Sequence, residues 1–264
     1  MSELISSDGV RLVYDDLGPR EGTPVVLCHG LAAAGEQMRA DADYFAALGY
    51  RVLLPDLRGH GRSGKPTTMR PEDFSIARIA ADLIEMLDHA GVAPVHWVGN
   101  SLGGIVALQM VKEHEARFRT LATFGTSYSL NLPRWSGNVL RLGYSAMGAS
   151  LAGRLTAWQT TRNAAARPII ERLIRQFDPL VGQLVANNVS DYNLIANLDG
   201  KTLPILMLRG GHDRAVNSAL GPTLKAMRGR PNFTLVEVPE GGHCANLDAT
   251  DAWRAALLSF WRGK

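Results

Sequence analysis

Short runs rich in Val, Ile and Leu recur along the chain, at Val10–Tyr14, Val25–Cys28, Arg51–Pro55, Val95–Gly99, Thr120–Gly125, Pro204–Arg209 and Phe233–Val238. Their length and β-branched content predict strands. Between many of them apolar residues return every three or four positions instead, as in Ile79, Leu83, Met86 and Leu87, in Ile105, Leu108 and Val111, and in Trp253, Leu257 and Phe260. That spacing puts an apolar stripe on one side of a helix. Near-continuous apolar strands alternating with helices predict an α/β protein, with a mostly parallel sheet covered on both faces, because crossover helices must pack on the sheet. The first strand or two are expected to pair antiparallel.

From Tyr128 to Gly200 the alternation stops. No strand signal is visible there, whereas Leu140, Tyr144, Met147, Leu151, Leu155 and Trp158 repeat at helical spacing, and a second stripe of Ile169, Leu173, Ile174 and Phe177 follows Pro168. Pro168 suits a first helical turn, where its missing N–H costs nothing. The pattern predicts an all-helical insertion, residues 128–200, in a body made of residues 1–127 and 201–264. The insertion holds seven Arg, no Lys and four acids, a surplus equal to the formal net charge of +3 of the whole chain. The body is therefore neutral and the insertion is the basic part.

Composition narrows the class. A chain of 264 residues with 46% hydrophobic and 20% charged residues can bury a sizeable core, which excludes wholesale disorder and suits one large domain carrying an insertion. No block of like charge stands out, so a nucleic-acid partner is not expected and a small molecule is. Charges or Gly and Pro interrupt every apolar run well before the roughly 20 residues a membrane helix needs, so no membrane insertion is expected. The start, Met1-Ser2-Glu3-Leu4-Ile5-Ser6, has neither a basic n-region nor an apolar h-region, so no secretory signal is expected. Two cysteines, Cys28 and Cys244, are too few for a disulfide framework; with the missing signal they point to a cytoplasmic protein with free thiols.

The chemistry is carried by Gly99-Asn100-Ser101-Leu102-Gly103-Gly104, which sits between a predicted strand and a predicted helix. This is the G-x-S-x-G nucleophile elbow in its required setting: the turn is so sharp that only small residues two before and two after the serine avoid the neighbouring backbone. A serine hydroxyl is a weak nucleophile and needs a base and an acid that orients it. Gly210-Gly211-His212-Asp213, after a strand, supplies Asp213 as candidate acid, and Glu240-Gly241-Gly242-His243, after the last strand, supplies His243 as candidate base. His212 is the rival base, but neighbours in a turn point apart. Asp56, Asp178, Asp191, Asp199 and Asp248 read as turn or helix-cap residues. Two backbone donors would stabilise the oxyanion: the N–H of Leu102, which opens a helix, and that of Leu31, where Gly30 lets the chain turn.

The candidate substrate pocket takes in His29, Gly30 and Asn100 from the strand ends and Met147 and Trp158 from the insertion. The plainer reading of the insertion's stripe is packing onto the body, and of its arginines, solubility. No Cys or His spacing matches a metal site and no Gly-rich phosphate loop is present, so no cofactor and no metal are expected.

His29-Gly30, Asp56-Leu57-Arg58-Gly59-His60-Gly61-Arg62-Ser63, the elbow, Asp213 and His243 together resemble the α/β-hydrolase superfamily, in its order, from Val10 to Trp261. The resemblance implies an α/β-hydrolase fold with a helical cap inserted after the strand that follows the nucleophile helix. It implies serine ester hydrolysis, with Asp56–Ser63 a structural loop beside the site. Epoxide hydrolases and haloalkane dehalogenases of this fold use aspartate where Ser101 stands, whereas haloperoxidase-like and perhydrolase members keep the serine. Asn100 resembles the elbow of carbon–carbon bond hydrolases that cleave ring-fission products. Those enzymes have a Gly-rich stretch after His-Gly and often a Trp after the catalytic histidine; Leu31-Ala32-Ala33-Ala34 and Cys244-Ala245-Asn246-Leu247 stand here, the latter resembling ester and lactone hydrolases. The expectation is a carboxylic ester hydrolase acting on small, largely apolar esters or lactones, with carbon–carbon hydrolysis or a non-catalytic small-molecule receptor as alternatives.

Overall fold

A computed structural model describes all 264 residues. In chain order, β1 (Ser2–Ile5), β2 (Arg11–Leu17) and β3 (Pro24–Cys28) precede α1 (Arg39–Ala47), β4 (Arg51–Asp56), α2 (Ile76–Ala90), β5 (Val95–Asn100), α3 (Leu102–His114) and β6 (Phe118–Phe124). After an insertion come β9 (Ile205–Gly210), α7 (Arg214–Ala219), α8 (Gly221–Met227), β10 (Phe233–Val238), α9 (Ala245–Asp248) and α10 (Thr250–Trp261). One sheet runs β1-β2-β4-β3-β5-β6-β9-β10; β1 and β2 enter antiparallel and every later pairing is parallel.

The period-two geometry of a strand sorts its apolar residues between two cores. Val25 and Leu27 of β3 join Met38, Phe45, Trp253 and Trp261 of the α1 and α10 layer, while Val26 and Cys28 join Ile79, Leu87, Val106 and Met110 of the α2 and α3 layer. Helix α2 shows why helices begin and end where they do: the Ser75 hydroxyl accepts from the Arg78 N–H at its start, and Gly91 takes the left-handed conformation (φ 63°) at its end. The sequence reading missed β1, whose alternately half-buried and exposed residues carry only a faint apolar signal.

The stretch between β6 and β9 holds α4 (Ser136–Thr160), α5 (Arg167–Gln176) and α6 (Pro179–Asn188), and its all-helical expectation needs correcting. Two three-residue strands, β7 (Ser129–Asn131) and β8 (Asp191–Asn193), pair antiparallel where the insertion leaves and rejoins the body. Such short, polar segments give no hydrophobic alternation to read. Helix α4 is kinked at Gly148 (φ 74°) and meets its neighbours through small residues: a Cβ on Gly153 would lie 3.0 Å from Glu171 O of α5. Its stripe of large apolar residues does not pack onto the body as expected. Ala152, Gly153 and Ala157 face inward, and Leu140, Leu151, Leu155 and Trp158 stand exposed. No helix is long and apolar enough to cross a membrane.

Candidate active site

The turn from β5 into α3 is forced by contacts a side chain could not survive. A Cβ on Gly99 would lie 2.4 Å from Gly104 N, one on Gly103 2.4 Å from Cys28 O, and one on Gly104 2.5 Å from Thr126 Oγ1. Ser101 itself sits at φ 49°, ψ −112°, strained for a residue with a side chain. Its backbone is over-determined: its N–H bonds Phe124 O at 3.0 Å and its carbonyl receives Gly104 N, Ile105 N and Thr126 Oγ1.

Leu102 opens α3, and its N–H finds no acceptor in the protein; neither does the N–H of Leu31. Gly30 is pressed against the elbow, since a Cβ there would lie 3.2 Å from both Ser101 Cβ and Asn100 Oδ1. Two backbone donors without protein acceptors thus stand at the start of α3 and in the loop whose Gly30 lies against Ser101. The helix dipole adds a partial positive charge at Leu102.

His243 and Asp213 meet across two loops. Asp213 Oδ2 accepts from His243 Nδ1 at 2.9 Å, and Oδ1 receives Val216 N at 3.3 Å as α7 begins. A carboxylate only accepts, so Nδ1 carries the ring proton and Nε2 is the basic nitrogen. The Ser101 hydroxyl makes no hydrogen bond to Nε2 in this unliganded geometry, a gap that substrate-free sites commonly show. His212, more than a third exposed, faces Glu240 instead.

Asn100 braces this arrangement. Its Nδ2 donates to His243 O at 3.1 Å and Phe124 O at 3.3 Å, while Oδ1 accepts from Gln37 Nε2 at 3.2 Å. The expected pocket residue His29 is fully buried and turned into the body: Nδ1 donates to Gly30 O at 2.7 Å and Nε2 accepts from Leu57 N at 3.0 Å. Burial holds its imidazole below the ordinary histidine value, hence neutral. The neighbouring loop is pinned from within, Asp56 receiving Gly35 N and Arg62, and the buried Arg58 pairing with Asp82 and Asp8.

A cavity of about 40 Å³ opens beside His243, walled by Gly30, Leu31, Asn100 and Cys244 of the body and Thr156, Thr160, Ile170 and Ile174 of α4 and α5. Met147 and Trp158 are not in its wall. They are 43% and 67% exposed, one helical face away from Thr156 and Thr160. Sequence reasoning also missed Gln37, which no local pattern marks, and Asp248, read as a turn residue. Asp248 Oδ2 accepts Gly242 N at 2.7 Å, and Oδ1 accepts Thr161 Oγ1 at 2.5 Å, Arg162 N at 2.9 Å and Asn163 N at 3.2 Å. With Cys244 N bonding Thr160 O at 3.0 Å, it ties the end of α4 to the loop that carries His243. Burial pushes the Cys244 thiol up to about 12, so it stays a thiol and competes with neither serine nor histidine.

The fold that carries this turn matches a known family. The family described as alpha/beta hydrolase fold matches residues 23–250, and the chain belongs to that family. It is 42% identical over 104 residues to a non-heme chloroperoxidase of Streptomyces lividans, covering 39% of this chain and little more than a third (36%) of that protein's length. It is 28% identical to the magnesium-chelatase 30 kDa subunit of Rhodobacter capsulatus over 94% of this chain and 90% of that protein. A solved hydrolase from Pseudomonas aeruginosa PA01 superposes with a TM-score of 0.85 at 25% identity, over 100% of this chain and 98% of that one.

Proposed function

We propose that the protein hydrolyses carboxylic esters, lactones included, through Ser101, His243 and Asp213. The observation that carries the reading is the pair of unsatisfied N–H groups at Leu31 and Leu102 flanking a serine in a strained turn. A scaffold or receptor has no physical use for two donors left without protein acceptors beside a strained serine, whereas an oxyanion completes both.

The steps follow from the proton positions. His243 Nε2 takes the Ser101 proton as Oγ attacks the ester carbonyl, and Asp213 holds Nδ1–H and stabilises the imidazolium. The carbonyl oxygen, now negative, is received by the Leu31 and Leu102 amides. Collapse passes the proton to the leaving alcohol, and water repeats the sequence on the acyl-enzyme. Residues 128–200 act as a cap that sets the substrate: the small cavity behind Thr156, Thr160 and Ile170 suits a short acyl group. Leu31-Ala32-Ala33-Ala34 after His29-Gly30 and Cys244-Ala245-Asn246-Leu247 after His243 support ester rather than carbon–carbon hydrolysis. The unlinked Cys28 and Cys244 support a reducing, cytoplasmic setting.

The test is p-nitrophenol release from acetyl, butyryl and octanoyl esters, with a lactone alongside. Turnover is expected to favour the acetyl ester and to drop by about ten-thousandfold in Ser101→Ala. No turnover of any member, or full activity in Ser101→Ala, overturns the assignment.

A further inference from the structure

Of the twelve large apolar side chains exposed on the whole chain, nine lie between Leu132 and Trp158. They are ordered, not scattered. Trp135, Val139 and Leu142 follow one face of the first half of α4, and Met147, Leu151, Leu155 and Trp158 one face of the second half, at spacings of three and four. Ala152 and Ala157 occupy the inward face, with Thr156 and Thr160 on the cavity. Two apolar stripes of this kind, one on each side of the break at Gly148, mark a surface that meets something other than water.

Charge says what it meets. The insertion carries seven arginines against four acids while the body is neutral, and the exposed Arg141, Arg162 and Arg175 have no acidic partner. Docking two copies through α4 would bring together two insertions that each carry a surplus of positive charge. An anionic lipid surface complements both features: acyl chains receive Leu and Val, phosphates receive Arg, and tryptophans favour the boundary between them, where Trp135 and Trp158 stand at the two ends of α4.

We propose that the outer face of α4 docks the protein, without spanning, onto the headgroup layer of an anionic membrane. Docking would set the opposite face of the same helix, with Thr156 and Thr160, one helix thickness from the lipid, so that substrates dissolved there reach the cavity.

The test is sedimentation of the full chain with vesicles of phosphatidylcholine, with and without phosphatidylglycerol, while tryptophan emission is followed. Binding is expected on the anionic vesicles, with a blue shift, and is expected to weaken as salt rises. The pair Leu142→Ser and Leu151→Ser should weaken it by at least about a hundredfold. Arg141→Gln and Arg162→Gln should each cost about fivefold. All these side chains are exposed, so unchanged circular dichroism and melting temperature confirm that each variant folds. Absence of binding to anionic vesicles, equal binding to neutral ones, or a dimer that the Leu142 and Leu151 pair abolishes overturns the proposal. The readout is binding, so it is independent of whether Ser101 hydrolyses esters.

Discussion

The turn at Ser101 and helix α4 are held by opposite means. The turn is crowded: glycines at 99, 103 and 104 each sit where a Cβ would strike a neighbouring atom at 2.5 Å or less, and a strained serine is locked by four hydrogen bonds. The helix, broken at Gly148, rests on its neighbours through alanine and glycine and turns its largest side chains outward. Chemistry needs groups fixed to fractions of an ångström, so it is placed where backbone packing allows one conformation. On the proposed function, substrate choice needs shape alone and falls to the helices of the insertion.

The contrast can be broken or sharpened by substitution. Arg58→Ala strips a fully buried guanidinium from Asp82 and Asp8 and leaves Arg78 as their one remaining cation, with an expected loss of about 3–5 kcal/mol by chemical denaturation. Exchanging the exposed Arg154, whose nearest acid is Glu171 at 3.7 Å, should change stability by less than about 0.5 kcal/mol. Gly103→Ala, which drives a Cβ into Cys28 O, is expected to cost about 3 kcal/mol and to lower turnover, because the backbone must shift at the elbow. An unchanged melting temperature would show that the turn is softer than its contacts imply.

Acid should act on the body first. His60 is held down to about 3 and His96 to about 4 by burial, and no histidine lies in residues 128–200. The unfolded chain protonates these rings near the ordinary histidine value of 6.5 and the folded chain does not, so their contribution is complete above that pH. It is lost as pH falls from about 6.5 towards 4, which denaturation at stepped pH would follow; His96→Gln should flatten the slope.

Smaller effects probe the seam between the two regions. Asp248→Ala removes the clamp between Gly242 and Thr161–Asn163, and kcat is expected to fall about tenfold as His243 loses its position, with the melting temperature nearly unchanged. Loss in KM alone would mean that Asp248 shapes the cavity and not the histidine. At the far end of the scale, Gly143→Ala in α4, where the nearest atom to a new Cβ is Met147 Cε at 3.8 Å, should stabilise by about 0.5–1 kcal/mol.

The central strands were legible because a strand buried on both faces must be apolar throughout, as in Val25–Cys28. The elbow was legible because part of its steric demand is local: Gly99 answers to Gly103 and Gly104 of the motif itself. Asp213 and His243 could be paired from chain order, and a 2.9 Å bond joins them. Gln37 and Asp248 left no such mark, since their roles lie with Asn100 and Thr161, far along the chain.

What the sequence determined by itself is therefore the alternating framework, the basic insertion and the serine turn, each set by periodicity, composition or short-range sterics. The tertiary structure alone decided which side of α4 meets the body. An apolar stripe at helical spacing says that one face is distinct, but α4 packs against α5 through Gly153 and Ala157 because close helix approach favours small side chains, and that leaves Leu151, Leu155 and Trp158 facing outward.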